Sequence, residues 1–393
     1  MDFIFLSEAD TPPGMSTATR YQELVEEVLL AEKVGFDYFG TSEQHVPLGT
    51  ATTSAPEVLY PYLMALTSRI KFIHLVTLLP VRMNHALRVA ERVATEDIVS
   101  NGRIELGTGR GNTTLALRAF EVDPKKNKSE WREGIEVIRR AFTQEVFSFV
   151  GEHYKIPPRS LVPRPIQYPH PPISVAASGP DSHLEAGKLG IGVLSATFFL
   201  GFEYSKRVLQ MYEEAFDSTE HVYPAFKRKM VSLGGGMVCA DTTAEARKKV
   251  DPVIEGLKVQ TGAYELLSKL SADYAHMGAI KNVDLDDKEY LLNDSASFIV
   301  GDPDACIEQV RRYEEYGVEA LIMRIDGMPF EDRMRSIELF GKYVIPHFKK
   351  GTSIVRPADD VLREIRAKRE AHEAELATFL EREAKGVGTG ALA

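Results

Sequence analysis

Between 101 and 112 the chain reads Asn-Gly-Arg-Ile-Glu-Leu-Gly-Thr-Gly-Arg-Gly-Asn. Glycines at 107, 109 and 111 strip side chains from the end of an apolar run and leave a single cation, Arg110, among them. Backbone without Cβ atoms lets a flat ring approach closely, and the planar fork of a guanidinium suits a phosphate. Asn112 stands where Gly-x-Gly-x-x-Gly requires its third glycine, so this is no dinucleotide fingerprint. Taken alone, the run is equally a tight turn before a helix. Other stretches carry reactive or anion-binding groups: Ser42-Glu43-Gln44-His45, Leu75-Val76-Thr77, and Ser178-Gly179 through Ser182. Backbone amides at a helix start, with the Ser178 and Ser182 hydroxyls beside them, make an anion site; the plainer alternative is a helix cap. A histidine such as His45 is a proton donor when it reaches a substrate, and a packed, hydrogen-bonded residue when it does not.

These stretches need elements to hold them. Apolar runs at 3–6, 36–41, 70–79, 103–106, 173–177, 191–195, 230–239 and 320–325 read as strands, the seventh broken by the glycines at 234–236. Nearly every one is followed by a helical pattern, as at 19–34, where Leu24, Val28 and Ala31 share a face and Gly35 stops the helix. Residues 146–156 read as a hairpin turning at Gly151, and 157–172 are too rich in proline for regular structure. The run 298–300 is too short to count as a barrel strand. Eight nearly continuous apolar strands alternating with helices predict a (β/α)8 TIM barrel, an α/β fold with its site at the C-terminal strand ends. A doubly wound open sheet has the wrong strand count and lacks the fingerprint loop.

Residues 259–293 fit no strand and helix unit and read as an insertion late in the barrel, expected to form a mobile lid over the mouth. From 351 to 393 the chain turns dense in Glu, Arg and Lys, which predicts a charged C-terminal arm with helical content beyond a barrel domain of 1–350. The 393 residues are 44% hydrophobic and carry a net charge of -10, which argues against a nucleic-acid surface. No apolar run approaches the roughly 18 residues of a membrane span, so a cytoplasmic protein is expected. Two isolated cysteines, Cys239 and Cys306, indicate neither a disulfide framework nor a metal site. Phe5, Tyr62, Phe198 and Phe199 near strand ends suggest an apolar pocket.

The motifs in this order resemble the bacterial luciferase-like flavin monooxygenase family, over roughly residues 1–350. The resemblance rests on Gly-Phe-Asp at 35–37 followed by Ser-Glu-Gln-His at 42–45, Leu-Leu-Pro at 78–80, the Asn-Gly-Arg to Gly-Arg-Gly run, and 173–179. Gly301-Asp-Pro, Ser336-Ile-Glu-Leu-Phe and Ile345-Pro-His-Phe complete it. What it implies is a barrel fold and a reduced flavin, usually FMN supplied by a separate flavin reductase, that activates O2. Carried over by position, it assigns the FMN phosphate to Arg110, Lys128, Ser178, Gly179 and Ser182. It sets Gly109 and Asn112 beside the ring and makes Leu75-Val76 the place where some members hold a non-proline cis peptide. The candidate catalytic set is Glu43, Gln44 and His45, with Glu43 as an acid under the flavin. Many members have Glu-His-His there; Gln44 replaces the first histidine and cannot titrate near neutrality, which leaves His45 as the proton donor. The implied activity is oxygenation of a small organic substrate by an enzyme expected to be a homo-oligomer. The alternatives are a deazaflavin-dependent hydride transferase on a related barrel and a flavin-binding protein without turnover.

Overall fold

The computed structural model describes residues 1–46, 51–111, 113–269 and 272–349, together with 374 and 378. Asn112 and, those two positions aside, the expected arm at 351–393 lie outside the described residues. Eight parallel strands close into a barrel: β1 Asp2–Leu6, β2 Tyr38–Thr41, β3 Lys71–His74, β4 Ile104–Gly109, β5 Ile173–Ala177, β6 Gly192–Ser195, β7 Lys229–Leu233 and β8 Ala320–Arg324. β1 lies between β2 and β8, in register from Asp2 opposite Ala320 to Leu6 opposite Arg324. Closure comes from β3 on β4, with Phe72 opposite Ile104. The eight strands are those expected from the apolar runs.

Strand alternation divides the core in two. Ile4 and Leu6 of β1 pack inside the barrel with Tyr38, Ile73, Leu194, Met230 and Ile322. Phe3 and Phe5 point the other way, into the layer shared with Leu24, Val28 and Ala31 of the helix Thr17–Val34. That helix starts where the Ser16 hydroxyl accepts the Thr19 amide, and it ends at Gly35, whose φ of 108° few side chains tolerate. Among the described residues no helix is long and apolar enough to cross a membrane.

The glycine run departs from expectation. Gly107 and Gly109 belong to β4 itself, and of the three glycines only Gly111, with φ of 86°, turns the chain. The reason is contact. A Cβ on Gly107 would collide with the His74 carbonyl, one on Gly109 with the Val76 side chain, and one on Gly40 of β2 with Leu75. Those glycines make room for the end of the third strand, which is interrupted by a cis Leu75-Val76 peptide and resumes as Thr77–Leu78 beside Thr108 and Gly109.

Two short sheets stand outside the barrel. After Gly234 and Gly235 the seventh apolar run continues as Gly236–Cys239, which pairs in parallel with Phe298–Gly301, so the latter is a strand but not a barrel strand. Phe147–Val150 and Lys155–Arg159 form the expected hairpin, the second strand reaching into the proline-rich segment. A short helix, Thr114–Ala119, follows the turn at Gly111; it is 6 residues long and its Thr113 side chain caps nothing. The region read as an insertion is helical: Asp251–Ser268, a 3-10 segment Ala272–Asn282, and Lys288–Asn293.

Because the atom facing Gly107 is backbone rather than a movable side chain, Gly107→Ala should destabilise the protein by about 1 to 3 kcal/mol, the usual cost of overpacking. Urea unfolding measures it; an unchanged midpoint would show that β3 can shift without loss.

Candidate functional site at the barrel mouth

Two groups of side chains gather at the C-terminal strand ends. The first surrounds a cavity of about 370 Å³ lined by Arg110, Lys128, Trp131, Gly179, Ser182 and His276, among others. Arg110 follows β4 directly, Lys128 and Trp131 lie on the first turns of the helix Asn127–Thr143, and Gly179 precedes the helix Pro180–Leu189. The Trp131 indole N–H donates to Thr108 Oγ1 at 3.1 Å, which fixes that wall to β4.

Residues that the sequence did not single out complete this half. Arg110 lies over the Tyr274 ring, 4.2 Å from its centroid. A phenol has one proton, so the Tyr274 hydroxyl donates to the Gly111 carbonyl at 2.7 Å and accepts from the Asn127 amide at 2.5 Å. Asn127 also donates to the Arg110 carbonyl at 2.9 Å. Ser178 Oγ and His276 Nε2 are hydrogen-bonded at 2.8 Å. The region read as an insertion therefore reaches the mouth through Tyr274 and His276, contacts between residues too far apart in sequence for any local pattern to announce.

The second group is built on Glu43. Its carboxylate accepts the Leu78 amide at 2.9 Å, the Asn84 side-chain amide at 2.9 and 3.1 Å, and His45 Nε2 at 2.7 Å. Against a carboxylate Nε2 is the protonated nitrogen, and the His45 ring packs on Phe120 at 4.8 Å between centroids. Gln44, beyond the end of β2, turns away from this group and donates to Glu8 Oε1 at 3.0 Å and Ser42 Oγ at 3.2 Å. Glu43 and His45 thus share one side. Leu75, Val76 and Gly109 meet beside them through the close approach described above.

Behind Gln44 lies a buried charged cluster that a strand-end reading passed over: Glu8 and Asp10 after β1, with Arg324 and Asp326 at the end of β8. Arg324 pairs with Glu8 at 3.0 Å and Asp10 at 2.7 Å. Burial, with Asp326 and Glu8 adding to it against the pull of Arg324, pushes the Asp10 carboxyl up to about 7. The available signal was two carboxylates in the run Ser-Glu-Ala-Asp at 7–10, following an apolar strand.

The expected apolar pocket is corrected in part. Phe5 faces the helix layer, its ring 6.2 Å from Phe36 and 5.6 Å from Phe39, because alternation sends Ile4 and Leu6 inward. Tyr62 sits on the outer face of the helix Pro56–Leu66, 57% exposed.

The description luciferase-like monooxygenase belongs to the family model that matches residues 1–320. An F420-dependent glucose-6-phosphate dehydrogenase of Amycolatopsis mediterranei (strain U-32) is 26% identical over 336 residues, 84% of this chain and 95% of its own length. The oxygenase component of a flavin-dependent trigonelline monooxygenase from Acinetobacter baylyi is 26% identical over 353 residues, 84% of this chain and 90% of its own. Among solved structures, the monooxygenase RslO1 from Streptomyces bottropensis superposes with a TM-score of 0.73 at 25% identity, covering 89% of this chain and 100% of that one.

One titration tests the geometry of the Gly179 turn. His183, fully buried behind the Gly179 turn, has its imidazole pushed down to about 4 by burial. The unfolded chain takes up that proton nearer 6.5, so this group's contribution to stability is complete above about 6.5 and is lost as pH falls towards 4. The difference in unfolding free energy between the wild type and His183→Gln should therefore shrink as pH falls from 7 to 4.5. Asp10 acts with the opposite sign but in both proteins alike, so it cancels. Parallel stability curves would show that His183 is not held neutral.

Proposed function

The chain belongs to the luciferase-like monooxygenase family, and from that premise we propose that it is an FMN-dependent monooxygenase that oxygenates a small organic substrate with O2, reduced FMN arriving from a separate reductase. The observation that carries this reading is the cavity in which Arg110 and Lys128 face the Gly179 turn and Ser182. Cations on one side and the backbone amides of a helix start on the other fit a phosphate monoester. Asp181 and Glu185 also line the cavity. Glu185 is paired with Arg132, so Arg110 and Lys128 keep the balance of charge that a terminal phosphate needs.

A bound reduced flavin would supply the electrons for oxygen activation. The chain supplies the rest. Arg110 and Lys128 balance the phosphate charge, and the Gly179 turn and Ser182 orient it. Gly109 leaves the room that the Val76 side chain fills, and Leu75 and Val76 would form the wall beside the ring. Glu43 fixes the His45 ring through Nε2, which leaves Nδ1 as the nitrogen that takes or gives a proton at the mouth. Gln44, turned towards Glu8 and Ser42, shapes the neighbouring wall and moves no proton.

Arg110→Ala should weaken FMN binding by about 1.5 to 3 kcal/mol, the range for hydrogen bonds to a charged group. Titration calorimetry measures it, and an unchanged dissociation constant would remove Arg110 from the phosphate site.

His45→Ala should leave FMN affinity nearly intact while lowering product formed per flavin oxidised by roughly 100-fold, the loss expected of a proton donor. Gln44→Ala should change that ratio far less. The reverse order of effects, or a collapse of the His45→Ala fold on melting, would make His45 structural.

A further inference from the structure

Behind the Gly179 turn runs a hydrogen-bonded chain that the proposed chemistry does not use. His183 Nδ1 meets the Gly179 carbonyl at 2.8 Å, and His183 Nε2 meets Ser195 Oγ at 2.9 Å. Ser195 Oγ is 3.2 Å from Thr197 Oγ1, which is 2.8 Å from Ser205 Oγ. His183, Ser195 and Ser205 are 0% exposed and Thr197 is 1%. The chain joins the end of β6 and the helix Phe202–Asp217 to the start of the helix Pro180–Leu189.

Its direction follows from donor counting. A carbonyl only accepts, so Nδ1 carries the ring proton and donates to Gly179. Burial keeps the imidazole neutral at ordinary pH, its ionisation pushed down to about 4. A neutral ring has one proton, so Nε2 accepts from the Ser195 hydroxyl. The Ser195 hydrogen is then committed, and its oxygen must accept from Thr197, as Thr197 must from Ser205. All the hydroxyls point one way, and the run ends on the Gly179 carbonyl. The Ser182 hydroxyl donates to that same carbonyl at 2.8 Å.

We infer that His183 is a positioning residue for the cofactor phosphate, acting through Gly179 and held in its donating tautomer by Ser195, Thr197 and Ser205. The inference rests on the reading of this turn as a phosphate site. Pinning the Gly179 carbonyl fixes the plane of the peptide that enters Pro180. That plane sets where the first-turn amides of Asp181 and Ser182 point, groups that helix geometry leaves without intrahelical partners. His183 never touches the phosphate; it decides whether those donors converge on it. A buried network that merely satisfies its own polar groups would have no reason to distinguish a flavin with a phosphate from one without.

The test is the ratio of the dissociation constants for riboflavin and FMN, read by flavin fluorescence, in the wild type, His183→Ala, His183→Gln and Ser195→Ala. His183→Ala should weaken FMN roughly tenfold, the equivalent of one misplaced hydrogen bond to a charged group, and leave riboflavin unchanged. His183→Gln, which keeps a side-chain N–H for Gly179, should recover most of the loss. Ser195→Ala, which frees Nε2 but leaves the ring in place, should shift the ratio in the same direction by less. Ser195→Ala also stands in if His183→Ala does not fold: an unchanged ratio there would overturn the proposal. Equal weakening of both flavins in the folded variants would overturn it too, by showing a general packing role. Equal wild-type affinity for the two flavins would instead remove the phosphate site itself, and this proposal with it.

Discussion

The end of the third strand lies closer to its neighbours than any side chain at three positions would allow. Gly40 on β2 and Gly107 and Gly109 on β4 leave space that Leu75, the His74 carbonyl and Val76 occupy. That approach places the Leu78 amide within 2.9 Å of the Glu43 carboxylate. A carboxylate 9% exposed must be met by donors, and Glu43 meets three: the Leu78 amide, the Asn84 amide and His45. Asn84 is oriented in turn by Arg92, which donates to its side-chain oxygen at 2.5 Å. Move β3 outward by the width of a methyl group and this sequence fails from its first link, with His45 losing the partner that sets its tautomer.

The mouth is electrostatically two-sided. Arg110 and Lys128 lie with the Gly179 turn on one side, while Glu8, Asp10 and Asp326 on the other are held by Arg324 and, through Asp326, by Arg20 at 3.1 Å. Arg20 also pairs with Glu27 at 3.0 Å, with both side chains fully buried. Buried pairs of this kind contribute little net stability but are costly to break singly. Their consequence here is placement: β1, β8 and the helix Thr17–Val34 are tied together beneath the side of the mouth that faces Gln44. In the proposed reading the phosphate end of the cofactor goes to the cationic side, and the Glu43–His45 pair stands between the two.

Much of this was legible in the sequence, for a physical reason. Parallel strands covered on both faces must be apolar along their length, and that pattern needs no knowledge of neighbours, so the strand runs at 3–6, 103–106 and 320–325 were visible directly. Gly35 as a helix stop was equally local. Gly107 and Gly109 were misassigned to a loop because the cause of each glycine is a residue of another strand, His74 or Val76, and nothing adjacent in sequence announces it. The Leu75-Val76 step could be placed only through the family resemblance. Tyr274, His276 and Asn127 escaped for a related reason: a tyrosine in a region without a strand period is unremarkable until Arg110 is found beneath its ring.

Water is the remaining variable at the cationic side, and Tyr274 bears on it. A guanidinium in open solvent gains little from an anion, because the dielectric screens the pair. Covered by an aromatic ring on one face, the same cation loses part of its hydration and gains a cation–π contact of about 0.5 to 2 kcal/mol. The Tyr274 ring makes that contact while its hydroxyl bonds to the Gly111 carbonyl and to Asn127, so it cannot lift without releasing Gly111 and Asn127 together. Asn127 in turn holds the carbonyl of Arg110 itself. The backbone that aims the guanidinium and the ring that dries it are therefore one hydrogen-bonded unit, contributed partly by the barrel and partly by the helical segment that follows Ser268.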